Sequence, residues 1–294
     1  MIAIFRGERQ NRMEFKYVED IMPIIKRAGR SFSGSLRFKR NVEFKGKSDY
    51  VTDLDKKIEK RIIREIVKIY PRAQFISEER DASVVGDTFW VLDPIDGTTN
   101  MLHGFNSVAI SLAHITEGKI DFGIVYNLST HEVFYSEKGK GAFLERNGKV
   151  TKLKVSKVNS VSNSLVGFGC PYNKNKIGYL FLLLQNIIKD CDDLKRVGPA
   201  SVDICNVAAG RLDAYLELDL EFWDYCAGSL ILSEAGGKIS DFNNHRTSCK
   251  SNILATNGLL HEKMLERIKY SNRRCKKVGK VVKNRIYTNF RLKA

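Results

Sequence analysis

Apolar positions recur at helical spacing over residues 53–70, where Ile58, Ile62, Ile66 and Ile69 share one face and Lys and Arg dominate the other. This spacing predicts an amphipathic helix that Pro71 stops. Residues 13–30 read as another, with Phe15, Val18, Met22 and Ile25 on one face and Pro23 expected to kink or end it. Short β-prone runs at 73–76 and 89–92 read as strands. From 106 to 155, β-prone segments punctuated by Glu117-Gly118, Ser129-Thr130 and Asn147-Gly148 predict an antiparallel meander. The second half reads as a strand at 164–169, helices near 178–189 and 200–209, and a strand at 212–218. A helix follows over 229–235, opened by the segment from Glu221 to Gly228 and stopped by Gly236-Gly237. Shorter strands near 238–241 and 253–256 precede a closing helix from about 259 to 270. On pattern alone the chain is mixed α and β, without repeats or low-complexity linkers.

With 294 residues, the chain has room for one large domain or two closely packed halves. No apolar stretch approaches the ~18 residues of a membrane span. The first residues, Met1 to Arg9, break a short apolar run with charges, which argues against export and for a cytoplasmic enzyme. Six widely spaced cysteines include no C-x-x-C pair, so they read as reduced, structural thiols.

The candidate chemistry lies in Asp93-Pro94-Ile95-Asp96-Gly97-Thr98-Thr99-Asn100, directly behind the apolar Phe89-Trp90-Val91-Leu92. Pro94 has no N–H to donate, so Asp93 is expected where the strand stops. Asp93 and Asp96 then share a tight turn suited to a hard cation such as Mg²⁺. Gly97 lets the backbone bend, and a helix or turn starting at Thr98 would offer N–H groups to phosphate. Either aspartate alone is equally at home in an Asx-rich turn. Two further acidic clusters strengthen the metal reading: Ser77-Glu78-Glu79 after the strand at 73–76, and Asp224 within Glu221-Phe222-Trp223-Asp224. Asp224 taken singly reads as a helix N-cap.

These clusters, in this order, resemble the inositol monophosphatase family of Mg²⁺-dependent, lithium-sensitive sugar-phosphate phosphatases. The resemblance rests on D-P-I-D-G-T-T-N at 93–100, the acidic pair at 78–79, and W-D-x-x-A-G-x-L-I-L-x-E-A-G-G from Trp223 to Gly237. Asp49 to Asp55, Gly139 to Phe143, and Gly198-Pro199-Ala200-Ser201-Val202-Asp203 extend it over roughly residues 13 to 270. Ser77, Met101, Pro199 and Cys226 depart from the family's usual residues without removing a side-chain ligand.

The resemblance implies a layered αβαβα sandwich of the sugar-phosphatase type, with the site between two α/β halves. It implies two or three Mg²⁺ ions held by Glu78, Asp93, the Ile95 carbonyl, Asp96 and Asp224. Asp55 and Thr98 would orient the attacking water, beside the position of Thr52, while Glu78 serves the first ion. Gly97 and Thr98 N–H groups would hold phosphate, and Glu217, the Ala200 backbone and Asp224 would contact substrate. The alternative reading of Glu217 is an exposed strand acid. The implied reaction is hydrolysis of inositol 1-phosphate, with fructose 1,6-bisphosphate and a 3′-phosphoadenosine nucleotide as alternatives, and the implied assembly is a homodimer. His103 and His114 lack a positioned nucleophile and read as surface or core hydrogen-bonding groups, and Trp223 as packing.

A net charge of +15 also admits a basic nucleic-acid or membrane-surface binding protein, though it equally attracts anionic substrates. The division expected is an N-terminal extension at 1–12, the phosphatase-like domain at 13–271, and a basic extension at 272–294. Val278, Val282, Ile286 and Phe290 recur in that extension at four-residue spacing, which fits either a basic amphipathic helix on anionic lipid or nucleic acid or a frayed, solvated tail.

Overall fold

The computed structural model describes residues 15–30, 42–46, 49–80, 84–247 and 249–274, with the backbone alone for 42–46 and 49–52. The first half comprises α1 (Val18–Arg30), β1 (Val42–Gly46), β2 (Asp49–Thr52), α2 (Asp53–Ile69), β3 (Phe75–Ser77), β4 (Phe89–Asp96) and α3 (Thr98–Leu102). The meander follows as β5 (Ala109–Thr116), β6 (Lys119–Asn127), β7 (Glu132–Glu137), β8 (Ala142–Arg146) and β9 (Lys149–Lys152). Beyond it come β10 (Leu165–Phe168), α4 (Ile177–Ile188), β11 (Asp193–Lys195), α5 (Ala200–Ala208), β12 (Ala214–Leu220) and α6 (Phe222–Glu234). Strands β13 (Lys238–Asp241) and β14 (Ser251–Thr256) lead to a last helix, α7, over 261–274. The expected extension at 1–12 and the amphipathic pattern beyond 274 lie outside the described residues.

Three cores stack these elements into layers. Ile21 and Ile25 of α1 and Ile58, Ile62 and Ile66 of α2 pack with Trp90, Leu92, Ile110 and Ile124 on one face of the sheet β3-β4-β5-β6-β7-β8-β9. The opposite face presents Val91, Ala113, Val125 and Phe134 to α5 and α6, which also touch Tyr215 and Ile253 of the sheet β11-β10-β12-β14-β13. Leu180, Leu183 and Ile187 of α4 join Met264, Leu265 and Ile268 of α7 over Val166, Leu216 and Leu254 on that second sheet's far side. The order is therefore helices, sheet, helices, sheet, helices: the αβαβα sandwich. Among the described residues, no helix is long and apolar enough to cross a membrane.

The meander pairs antiparallel throughout, and its tight turns use residues that accept positive φ, Glu117-Gly118 and Asn147-Gly148. Two proline expectations need correction. Helix α1 continues through Pro23, its sixth residue: the ring forgoes one intrahelical bond, to the Glu19 carbonyl, without ending the helix, whose Ile21, Ile24 and Ile25 are buried in the core. Strand β4 runs past Asp93 to Asp96; its register with β5 breaks between those residues, and the resulting bulge takes up Pro94. The five described cysteines are free.

His261, at the start of α7 and 1% exposed, is wedged between two hydroxyls, with Nε2 2.9 Å from Ser240 Oγ and Nδ1 3.0 Å from Thr256 Oγ1. Burial first, then the Lys238 charge, pushes its pKa from 6.5 down to about 4. The unfolded chain thus takes up this proton first. Stability should be intact above the unfolded value and decline as pH falls toward the folded one, by roughly 3 kcal/mol in full. The thermal midpoint should accordingly drop further between about pH 7 and about pH 5 in the natural chain than in a His261→Asn variant. Parallel drops would refute a buried neutral imidazole.

Candidate active site

Strand β3 runs parallel to β4 with Ser77 opposite Leu92, and the Glu78 N–H donates to the Leu92 carbonyl at 3.3 Å. The parallel pairing carries Glu78 to the end of β4, where Asp93 and Asp96 flank the bulge. From the other side α6 brings in Asp224. It is the third helical residue rather than the N-cap: Glu221 caps the helix, and its N–H donates to Asp224 Oδ2 at 2.8 Å. Glu78, Asp93, Asp96 and Asp224 line one cavity of about 260 Å³, together with Ile95 and Thr98.

Each aspartate is tethered by a backbone donor. The Ile95 N–H reaches Asp93 Oδ1 at 3.0 Å, and the Ser201 N–H, in the first turn of α5, reaches Asp96 Oδ2 at 2.9 Å. Burial, then the charges of Glu78, Asp96, Asp224 and Asp55, holds Asp93 well above the usual carboxylate range. Asp224 is raised likewise by burial, Asp96 and Glu78, against the Glu221 hydrogen bond. Asp96 is pushed up to about 6 by burial, opposed by hydrogen bonding from Ser201.

Carboxylates gathered in a buried pocket, where burial first and then their neighbours' charges oppose ionisation, lack positive charge. Their hard oxygens are the donor set that Mg²⁺ takes, so the residues present fit such an ion. As the side chains stand, no group of three or more His, Cys, Asp or Glu among the described residues is arranged to hold a metal.

Thr98 opens α3, with its hydroxyl 3.2 Å from Asp55 Oδ1 and 3.1 Å from the Ile95 carbonyl. Asp55 is wholly buried in the first turn of α2. Gly97 precedes Thr98 at φ 96°, where a Cβ would come within 2.9 Å of the Ser107 carbonyl. This turn requires glycine both for its left-handed backbone and for that approach.

An adjoining cavity of about 220 Å³ shares Asp96, Gly97, Glu217 and Asp224 and adds Ala200. Glu217 on β12 is half-buried there and accepts a hydrogen bond from the Tyr215 hydroxyl; burial lifts its pKa to about 7. Every proposed site residue thus lies at this one junction, Asp55 joining it through Thr98. Trp223 both lines the first cavity and packs into the core between the sheets. His103 is exposed at the end of α3, whereas His114 is buried with Nδ1 2.7 Å from Asp121 Oδ1.

Sequence reasoning assigned no role to Ser201, Tyr215 or Asp203. Asp203 is buried in α5, accepts from the Gly198 N–H at 2.8 Å, and is lifted to about 7 by burial. The run from Gly198 to Asp203 signalled this turn; its contact with Asp96 is a tertiary fact.

The family model described as Inositol monophosphatase family matches residues 16–273. A Nus factor SuhB from Pasteurella multocida is 38% identical over 202 residues, covering 68% of this chain and 74% of its own. An inositol-1-monophosphatase from Mesorhizobium japonicum is 34% identical over 249 residues, 83% of this chain and 92% of its own. Among solved structures, the extragenic suppressor protein SuhB of Bartonella henselae has a TM-score of 0.80 at 33% identity, covering 86% of this chain and 98% of that one.

Proposed function

Because the chain belongs to the inositol monophosphatase family and is therefore a phosphatase, we propose that its substrate is the phosphate monoester of a small polyol, inositol 1-phosphate, cleaved to inositol and phosphate. The observation that carries this reading is the convergence of Glu78, Asp93, Asp96 and Asp224 on one cavity beside the Thr98–Asp55 pair. Two or three Mg²⁺ ions, held by those carboxylates and the Ile95 carbonyl, would supply a water of lowered pKa and positive charge opposite the phosphate oxygens. Thr98 orients the attacking water and takes its proton at Oγ1 as the hydroxyl proton moves to Asp55 Oδ1, 3.2 Å away. The Gly97 and Thr98 N–H groups hold the phosphate. Since the Tyr215 hydroxyl donates to Glu217 Oε2, Oε1 is left to accept from a polyol hydroxyl, next to the Ala200 backbone. The reading includes a homodimer in the cytoplasm, and a basic extension at 272–294 appended to the domain.

Lys174 and Arg196 line the adjoining cavity and favour a second reading, a substrate with another anionic group such as fructose 1,6-bisphosphate or a 3′-phosphoadenosine nucleotide. Phosphate release in Mg²⁺ from these three substrates should be fastest with inositol 1-phosphate; a faster bisphosphate or nucleotide would overturn the assignment. Glu217→Gln should lower kcat/KM for inositol 1-phosphate on the order of tenfold more than for an aryl phosphate, which has no polyol hydroxyls to recognise. Equal losses would remove Glu217 from substrate recognition.

A further inference from the structure

Away from the carboxylate cavity, α1 and α2 enclose a groove of about 420 Å³ lined by Arg27, Lys57, Lys60, Arg61, Arg64 and Glu65. Five cations against one carboxylate leave it a net charge of +4. Glu65 is shared: Arg27 Nη2 lies 3.9 Å from Oε2, while Arg64 Nε and Lys68 Nζ lie 3.7 Å and 2.7 Å from Oε1. One carboxylate divided among three cations neutralises one charge, and such solvent-facing pairs are weak. Lys57 and Lys60 are exposed and form no ion pair among the described residues.

The arrangement is one helix stripe. Lys57, Lys60, Arg61, Arg64 and Lys68 repeat at helical spacing, opposite Ile58, Ile62 and Ile66, which are fixed in the core. At a rise of ~1.5 Å per residue the row from Lys57 to Arg64 spans roughly 10 Å, about the axial distance across four successive phosphates of one strand at ~3.4 Å spacing.

We propose that this groove docks a nucleic-acid strand through its phosphodiester backbone, without reading its sequence. Helix α2 contains no aromatic, Asn or Gln residue, so the stripe offers positive charge but no stacking platform or amide for base edges. All six lining side chains are charged, so the groove lacks the apolar centre on which a protein interface depends. A membrane-surface helix buries its apolar face in lipid, whereas the apolar face of α2 is already buried in the protein. None of the groove residues lines the carboxylate cavities, so the inference does not rest on the phosphatase reading.

The test is fluorescence anisotropy of a mixed-sequence single-stranded RNA with the full chain and with Lys60→Glu/Arg64→Glu, both exposed positions whose change leaves the core intact. Losing two phosphate contacts should weaken binding on the order of tenfold near 0.1 M salt and reduce the slope of log affinity against log salt by about 1.4. Shuffling the RNA sequence should change nothing. Far-UV circular dichroism and the thermal midpoint of the variant should match those of the natural chain. Absent RNA binding by the natural chain, or equal affinity in the variant, would overturn the proposal. So would a loss seen only with phosphatidylserine vesicles, which would assign the stripe to a membrane.

Discussion

Asp93→Asn should lower Mg²⁺-dependent phosphate release on the order of a hundredfold or more while leaving the folded protein as stable as before, or more so, in chelator. The two effects share one cause. Asp93 is almost fully buried and faces Glu78, Asp96, Asp224 and Asp55, which raises its pKa above that of the unfolded chain. For a carboxylate raised in this way, stability declines as pH climbs from the unfolded value toward the folded one, because the unfolded chain releases its proton first. At neutral pH without cations, the natural chain carries that penalty and the amide does not. Added Mg²⁺ should reverse the order, since an ion that binds the folded state alone raises stability by mass action and asparagine is a poorer ligand. The natural chain should gain more in thermal midpoint from Mg²⁺ than the variant. Near-normal turnover in Asp93→Asn, or equal Mg²⁺-induced gains, would remove Asp93 from the metal site.

How much of this was legible in the sequence depends on where each signal resides. The isoleucine stripe of α2 and the positive-φ turns of the meander are local, and both lie where the pattern predicts, except that Ile69, the last residue of the helix, is exposed instead of joining Ile58, Ile62 and Ile66 in the core. The acidic clusters were visible individually; their meeting depends on the parallel pairing of β3 with β4 and on α6 crossing from the other half. Helix α6 is buried between two sheets, so no polar face marks its layer, and the sandwich came from resemblance rather than periodicity. Strand β11, Asp193-Leu194-Lys195, occupies a sheet edge with too few residues and too much polarity to register as a strand. The hairpin β1–β2 also went unpredicted: Val42-Glu43-Phe44-Lys45 alternates and Tyr50-Val51-Thr52 is β-prone, but strands of five and four residues give a pattern too short to stand out. Pro94 misled for a definable reason: proline forbids a ladder bond, but a bulge leaves out that bond while the strand continues.

The joint between fold and chemistry can be tested at Gly123. On β6 a Cβ at this position would lie 2.8 Å from the Ala227 carbonyl oxygen and 3.1 Å from its Cα. Those are backbone atoms of α6, one turn after Asp224, so a methyl group cannot be accommodated by turning a side chain. Gly123→Ala should push the helix off the sheet, costing about 1–3 kcal/mol from overpacking. Because the same helix carries Asp224, the displacement should also lower turnover, on the order of a hundredfold for a shift near 1 Å. Gly29→Ala separates the two effects. Its Cβ would collide with the side chains of Tyr126 and Leu128, in the core of the first sheet's far face and away from the carboxylates. That variant, whose clash is with side chains that can shift, should lose no more stability than Gly123→Ala and keep its turnover per folded molecule. If both variants lose turnover equally, or if Gly123→Ala is destabilised with catalysis intact, the contact between β6 and α6 does not position Asp224.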